Sequence, residues 1–419
     1  MTTNALYPTI SPSLDLNFLR AGVLDSRVTF TRSSTATYFN SFGTLSTALT
    51  NVPRFDYNPS TLAAQGLLIE ESRANLLSYS EDFGNAAWTK IGSTISTDTT
   101  TAPTGTVVAD SLIEDTSTGN HRTFRTVSGT TNTNSYTLSV FAKANTRTRI
   151  YMAIVEGATF SRQGSANFDL SAGNVISFST GINGATGGFA SITAIGNGWY
   201  RCTYTVTLGG TDTAILTDFE LIDTGTNRSY TGNGTSGLFL WGAQLEAGAF
   251  PTSYIPTTTV AVTRSADVAS VNTLTPWWNS SEGTFYVEGS CGSLTNSPVF
   301  VMPHDGTSNN YLNAPLLTTA GLGRLGGVVS GAAWANVNTA NSTTANTTFK
   351  SASAFKASDQ AICLNAGTVA TGTNASVPVV TTLKLGDWRT SGNAINGYLR
   401  RITYFPARLT NANLQAITT

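Results

Sequence analysis

Charge is scarce in this 419-residue chain: Asp, Glu, Lys and Arg make up 11 % of it, less than half of the roughly one quarter usual in globular proteins. The net charge is −1, so no electrostatic pull draws the chain to nucleic acid or to an anionic membrane. Hydrophobic residues reach 40 % and aromatics 10 %, which excludes disorder, a state that needs few aromatics and high net charge. Histidine is rarer still. His121 and His304 lie far apart with no ligand-like neighbour four residues on, which argues against zinc and against a Ser-His-Asp triad. The three cysteines, Cys202, Cys291 and Cys363, lack CxxC spacing. In WYRCTYTVT, Cys202 alternates with Arg201 and Thr203, the pattern of a buried strand thiol. No apolar run approaches membrane-span length, and MTTNALYP has neither the basic region nor the apolar core of a signal peptide. The expectation is synthesis in a cytoplasm, with any release by another route such as lysis.

Glycine is present instead, at 39 residues, together with abundant Thr, Ser and Asn. This is the composition of short strands joined by tight turns, and the length predicts two or three domains. The stretch Gly66–Lys90, GLLIEESRANLLSYSEDFGNAAWTK, concentrates what charge there is. Leu67, Leu68 and Ile69 predict a short buried strand, Glu70, Glu71 and Arg73 a polar turn, and Trp88 the entry to a β-domain. Before it, residues 1–65 carry only strand-sized pieces (28–31, 38–39 and 54–57). Such a segment is poorly able to bury a core alone, and residues 1–75 are expected to be an extended arm. One phrase recurs: VTFTRSSTAT (28–37) echoes VAVTRSADVAS (260–270). The interval is too long for a solenoid repeat, so both are read as connectors between modules.

From residue 76 to about 265 strand candidates recur between turn signals, at 136–143, 149–155, 165–170, 199–208, 216–222 and 237–246. Alternation is clean in the first and fourth, as half-buried antiparallel strands require. Residues 266–419 repeat the strand–turn rhythm and end in a short predicted helix. There Thr410 is placed to cap the N-terminus, and Leu414 and Ile417 lie on one docking face. The fold class is all-β: an arm (1–75), a jelly-roll sandwich (76–265) and a second sandwich (266–419). The polar stretch 327–348 is expected to be a loop with irregular strands.

Two GxGxxG matches, at 232–237 and 321–326, run into strand-like sequence rather than a helix, so neither is a phosphate cradle. Paired acids deserve separate weight because glycosidases need two. Glu220 and Glu246 are placed to share a sheet face, but in an acid-poor chain solvated or cap-forming acids are the better reading of both. Asp305–Asn310 has the oxygen-rich make-up of a calcium loop and equally that of an ordinary turn. No cofactor is expected.

Sugar recognition sets aromatic faces against pyranose rings and Asn, Gln, acids or Arg against hydroxyls. In the first sandwich the candidates are Tyr151, Trp199, Arg201, Tyr204, Trp241, Gln244 and Glu246. In the second they are Trp334, Trp388 and Arg389. The competing reading makes each Trp core. Trp277 and Trp278 are adjacent, so on a strand one of them faces out.

Several phrases resemble those of tailed-bacteriophage virion proteins. GLLIEESRANLL followed by YSEDFGNAAW resembles a segment between a virion-proximal arm and carbohydrate-binding-like modules. SVFAKA, GNGWYRCTYTV and LFLWGAQLEAGAFPTSYIPTT resemble the jelly roll of such proteins, which is similar to a carbohydrate-binding module. Gly-Tyr-Leu-Arg-Arg-Ile (397–402) and the helix after it resemble the end of a concanavalin-A-like or laminin-G-like sandwich. The resemblance implies a non-enzymatic virion-surface protein, fibre or spike in type. It would attach to other virion proteins through its arm, present its modules to host-surface glycans, and work as a homo-oligomer, a trimer by analogy. A ligand-free architectural part and a polysaccharide depolymerase remain the two other classes.

Overall fold

The computed structural model describes residues 7–20, 22–130, 134–157, 162–210, 213–390, 392 and 394–419. Among these the chain is all-β save one helix, Asn411–Ile417. Thr410 caps that helix, its side chain accepting from the Asn413 N–H, and Leu414 is buried beneath it.

The jelly roll is built of two six-stranded sheets. One runs Thr186–Gly196, Trp199–Thr207, Ser135–Lys143, Gly237–Ala247, Val107–Glu114, Ser93–Thr101. The other runs Asn174–Phe178, Gln163–Asp169, Arg149–Glu156, Ala214–Ile222, Arg122–Ser128, Thr89–Ile91. Alternation along the strands sends one set of side chains between the sheets, among them Leu138, Val140, Ile150, Met152, Phe168 and Phe219. The alternate set points outward on both sides. The outer face of the first sheet packs against the rest of the protein and is called the docked face below; that of the second is the open face.

The second sandwich has two eight-stranded sheets, and here the expected domain layout needs correction. Residues 1–75 are not an extended arm. Leu14–Asn17 pairs with the 401–404 part of Gly397–Phe405, and Ala64–Ile69 pairs with its 397–399 part, so the two short strands lie end to end along one edge. Phe55–Tyr57 extends the sheet beyond Ala64–Ile69, and Thr29–Thr31 joins the opposite sheet beside Val268–Val271. The cause is twofold. An uncovered edge at 397–405 would leave a row of unpaired N–H and C=O groups, and Leu14, Leu16, Phe55, Leu67 and Ile69 complete the same apolar core as Phe285, Ile402 and Tyr404. The sandwich is thus made of both ends of the chain, with the jelly roll inserted in it. Residues 1–6 of the expected arm lie outside the described residues.

The insertion has a narrow neck. Arg73–Asn75 and Val262–Arg264 form a two-stranded antiparallel ribbon, so the chain leaves and re-enters the sandwich side by side. Beneath the ribbon lies a buried ion cluster. Arg32 meets Asp267 at 3.0 Å, Arg54 meets both Asp267 and Glu70, and Arg264 lies 3.5 Å from Glu70. Arg32 and Arg264 are the arginines of the two echoed phrases, so these connectors meet in space. The stretch 327–348 is more regular than expected, with strands at Leu322–Val329, Ala332–Ala333 and Val337–Ser342. Trp277 and Trp278 lie outside any strand, and both turn inward: Trp278 stacks on Tyr404 at 4.9 Å and 17°.

Candidate functional site

Most of the aromatic candidates lie in the interior. Trp199 and Trp241 are on the docked face, where they pack with Leu45, Phe141 and Tyr254. Trp199 donates its indole N–H to the Thr101 carbonyl at 2.9 Å. Arg201 is turned inward too, bonding the Thr252 carbonyl and the Ser139 hydroxyl. Gln244 accepts from the Ile255 N–H, and Glu246 from the N–H and hydroxyl of Thr252. These five hold the returning segment 252–255 onto the sheet; they are intramolecular glue rather than a ligand platform. Tyr204 points the other way, into the jelly-roll core, and donates to the Ser179 carbonyl.

In the second sandwich Trp334 is buried in the core. Trp388 is half-buried edge-on to Tyr311 at 5.5 Å, covering Val299, Met302 and Leu316, with half-buried Arg389 beside it. The structure therefore does not bring the second-sandwich candidates to one surface.

Tyr151 is buried as well, at 6 % exposure, but on the side of the jelly roll away from the docked face, and it leads to the open face. Ile150, Met152 and Ile154 point into the core, so Tyr151, Ala153 and Val155 point out, joined by Leu216, Ile222 and Phe124. Strand register then sets a row across the sheet: Arg122 opposite Glu220, Glu220 opposite Tyr151, Tyr151 opposite Asn167. One step along, Phe124 and Ala153 flank Asp218.

The charges on this row are arranged in pairs. Arg228, from the loop after Ala214–Ile222, grips Glu220 with Nε at 2.6 Å and Nη2 at 3.0 Å. Its guanidinium lies 3.9 Å from the centre of the Tyr151 ring, a stacked cation–π arrangement. Arg122 repeats the motif, bonding Asp218 at 2.8 Å and lying 4.7 Å from the Phe124 ring. Asn120 adds a bond to Glu220 at 3.0 Å. Burial is the main cause that pushes the Asp218 pKa well above the usual carboxylate range, and the neighbouring Glu220 adds to it. Burial also raises the Tyr151 hydroxyl. For Arg228 burial opposes the charge, but its bonds to Glu220 outweigh this and raise the pKa.

Glu220 and Glu246 do not share a face as expected; they stand on opposite outer sides of the jelly roll, because their strands belong to different sheets. Arg122, Phe124, Asp218 and Arg228 were absent from the sequence candidates. The alternation of RTFRTVS carried a signal for the first two, whereas Arg228 lies in a loop and announces itself only by its position. Among the described residues no three His, Cys, Asp or Glu side chains lie together as metal ligands. The Asp305 carboxylate is engaged by Thr307 and Asn310 of its own turn.

No family model matches the sequence, and no curated protein matches it. Among solved structures, the chain is similar to the CBM40 module of Ruminococcus gnavus IT-sialidase bound to α2,3-sialyllactose, at 14 % identity over 34 % of this chain and 84 % of that one, with a TM-score of 0.30. It is similar to domain 4 of the extracellular arabinanase AbnA of Geobacillus stearothermophilus, in complex with arabinotriose, at 12 % identity, 40 % and 82 % coverage and a TM-score of 0.31. Mouse laminin α1 domains LG4-5 follow at 8 % identity, 70 % and 85 % coverage and a TM-score of 0.24. At these scores the likenesses are slight, and the function proposed next rests on other ground.

Proposed function

We propose that this chain is a virion-surface protein of a tailed bacteriophage that binds host-surface glycans through the open face of its jelly roll. The observation that carries the glycan reading is the row Arg122–Glu220–Tyr151–Asn167 with Arg228 laid over it. Tyr151 and Glu220 are themselves buried, so what the row offers a sugar is the two partly accessible guanidiniums held over them, planar donors suited to its hydroxyls. The virion setting is supported by the sequence phrases that resemble phage proteins. Attachment to the particle then falls to the folded surface of the first 75 residues, and the working form is a homo-oligomer, a trimer by analogy. Repetition on one particle multiplies weak contacts by raising effective concentration.

The protein binds without cutting. Both Glu220 oxygens are occupied by Arg228 and Asn120, so this carboxylate is a scaffold for the arginines rather than a base or nucleophile. The test is a glycan array probed with the purified chain, followed by incubation of the chain with any polysaccharide it captures. Capture without chain shortening is expected, and Arg228→Ala is expected to weaken it at least tenfold. Silence across the array, with normal host adsorption of particles lacking the protein, would leave a purely architectural role; shortened polysaccharide would make it a depolymerase.

A further inference from the structure

The open face has more uncommitted hydrogen-bond donors than acceptors. Glu220 is engaged at both oxygens: one accepts from Arg228 Nη2, the other from Arg228 Nε and Asn120 Nδ2. Arg228 keeps Nη1 beyond those bonds. Arg122 bonds Asp218 through Nη1 and keeps Nε and Nη2. Each guanidinium lies over a ring, which helps to hold it in place. The side chains are partly accessible, at 27 % for Arg122 and 37 % for Arg228.

Beneath them one atom stands out. Asp218 is 3 % exposed, and its Oδ1 is buried without a hydrogen-bond partner. An unpartnered buried carboxylate oxygen is costly unless a proton or a ligand satisfies it. The charged and titratable groups around it are Arg122 on one neighbouring strand, Tyr151 on the other, Glu220 on its own strand, and Arg228 above. Burial and Glu220 favour the protonated form of Asp218, against the pull of Arg122. With the proton in place, Asp218 shares it with Glu220, and two guanidiniums face a single carboxylate.

Building on the glycan-binding reading above, we infer that the open face takes an acidic sugar, one whose ring carries a carboxylate, held across the uncommitted N–H groups of Arg122 and Arg228. A carboxylate is acceptor-only and matches the planar fork of a guanidinium. A neutral sugar brings as many donors as acceptors and leaves part of the array unmet.

The full chain would be titrated calorimetrically with sialyllactose, a glucuronate disaccharide and lactose. The expected result is at least tenfold tighter binding of one or both acidic sugars than of lactose. Arg122→Ala, shown to be folded by its unfolding transition, should erase the preference; Asp218→Asn, which leaves both guanidiniums in place, should keep it. Should Arg122→Ala not fold, Arg122→Gln reports the same loss. Lactose bound as tightly as the acidic sugars overturns this inference and leaves the glycan reading standing, whereas silence toward every sugar on the array removes the glycan reading itself.

Discussion

Arg32 and Arg264 occupy the same Thr-Arg-Ser phrase in two distant parts of the chain, and both end in one buried cluster. Arg32 bonds Asp267, Arg264 faces Glu70, and Arg54 joins the two acids. Asp267 also accepts from the Glu70 N–H, and its own N–H donates to the Glu70 carbonyl. The cluster thus fastens four separate stretches at the neck of the inserted module.

Removing the acid at its centre should be severe. Asp267→Ala leaves Arg32 and Arg54 buried with too few counter-charges, a situation that costs about 3–5 kcal/mol. Denaturant unfolding would measure it. A loss below about 1 kcal/mol would mean that the cluster contributes little.

Two acids near the neck should move stability in opposite directions with pH. Burial opposes the Glu70 charge, but Arg264 and Arg54 outweigh it and bring the pKa from 4.5 to about 2. Its contribution is complete above pH 4.5 and is lost as pH falls through 2. Asp56, beside Tyr398, is pushed by burial from 3.8 up to about 6. It stabilises most below pH 3.8, and that share is lost as pH rises through 6. Asp56→Asn should therefore gain on the natural protein between pH 4 and 7, by roughly 2–3 kcal/mol. Parallel pH–stability curves for the two proteins would refute this.

All three thiols are buried, and burial raises the Cys291 pKa to about 12. A thiol reagent should label none of them at pH 8 in the native protein and all three in guanidinium. Fast labelling of any one in the native state would place it at a surface that the fold denies it.

The interior aromatics give a control for the binding site. Trp199→Ala should cost about 3–5 kcal/mol of stability and leave sugar affinity within twofold when the variant is assayed well below its melting temperature. A selective loss of affinity with unchanged stability would return the docked face to consideration as a ligand surface.

Residues 76–258 expressed alone should unfold cooperatively as a jelly roll, whereas 266–419 alone should aggregate, because Leu14–Asn17 and Ala64–Ile69 no longer cover the edge of Gly397–Phe405. A soluble, cooperatively folding 266–419 fragment would contradict the shared-sandwich arrangement.

What the sequence revealed depended on how local the signal was. Ser135–Lys143 and Trp199–Thr207 alternate over nine residues each, and Thr410 caps within its own turn, so all three were legible. Leu14–Asn17 is four residues long and pairs across almost the whole chain; nothing near it names its partner. The site failed for a different reason. Trp199, Arg201, Trp241, Gln244 and Glu246 do point away from the jelly-roll core, as a ligand platform would. Another part of the same chain covers them, which no strand pattern reports. Tyr151 was legible as an aromatic on a strand, but Arg228 and Asp218 gain their meaning only from cross-strand register.

Because Leu14–Asn17 lies alongside Gly397–Phe405, tension applied between these two segments would be borne by the backbone bonds joining them. The inserted jelly roll hangs outside that line of force on its ribbon. A pull on the open face would instead reach the neck, where the Arg54–Asp267 pairing sits as a buried anchor under the strain.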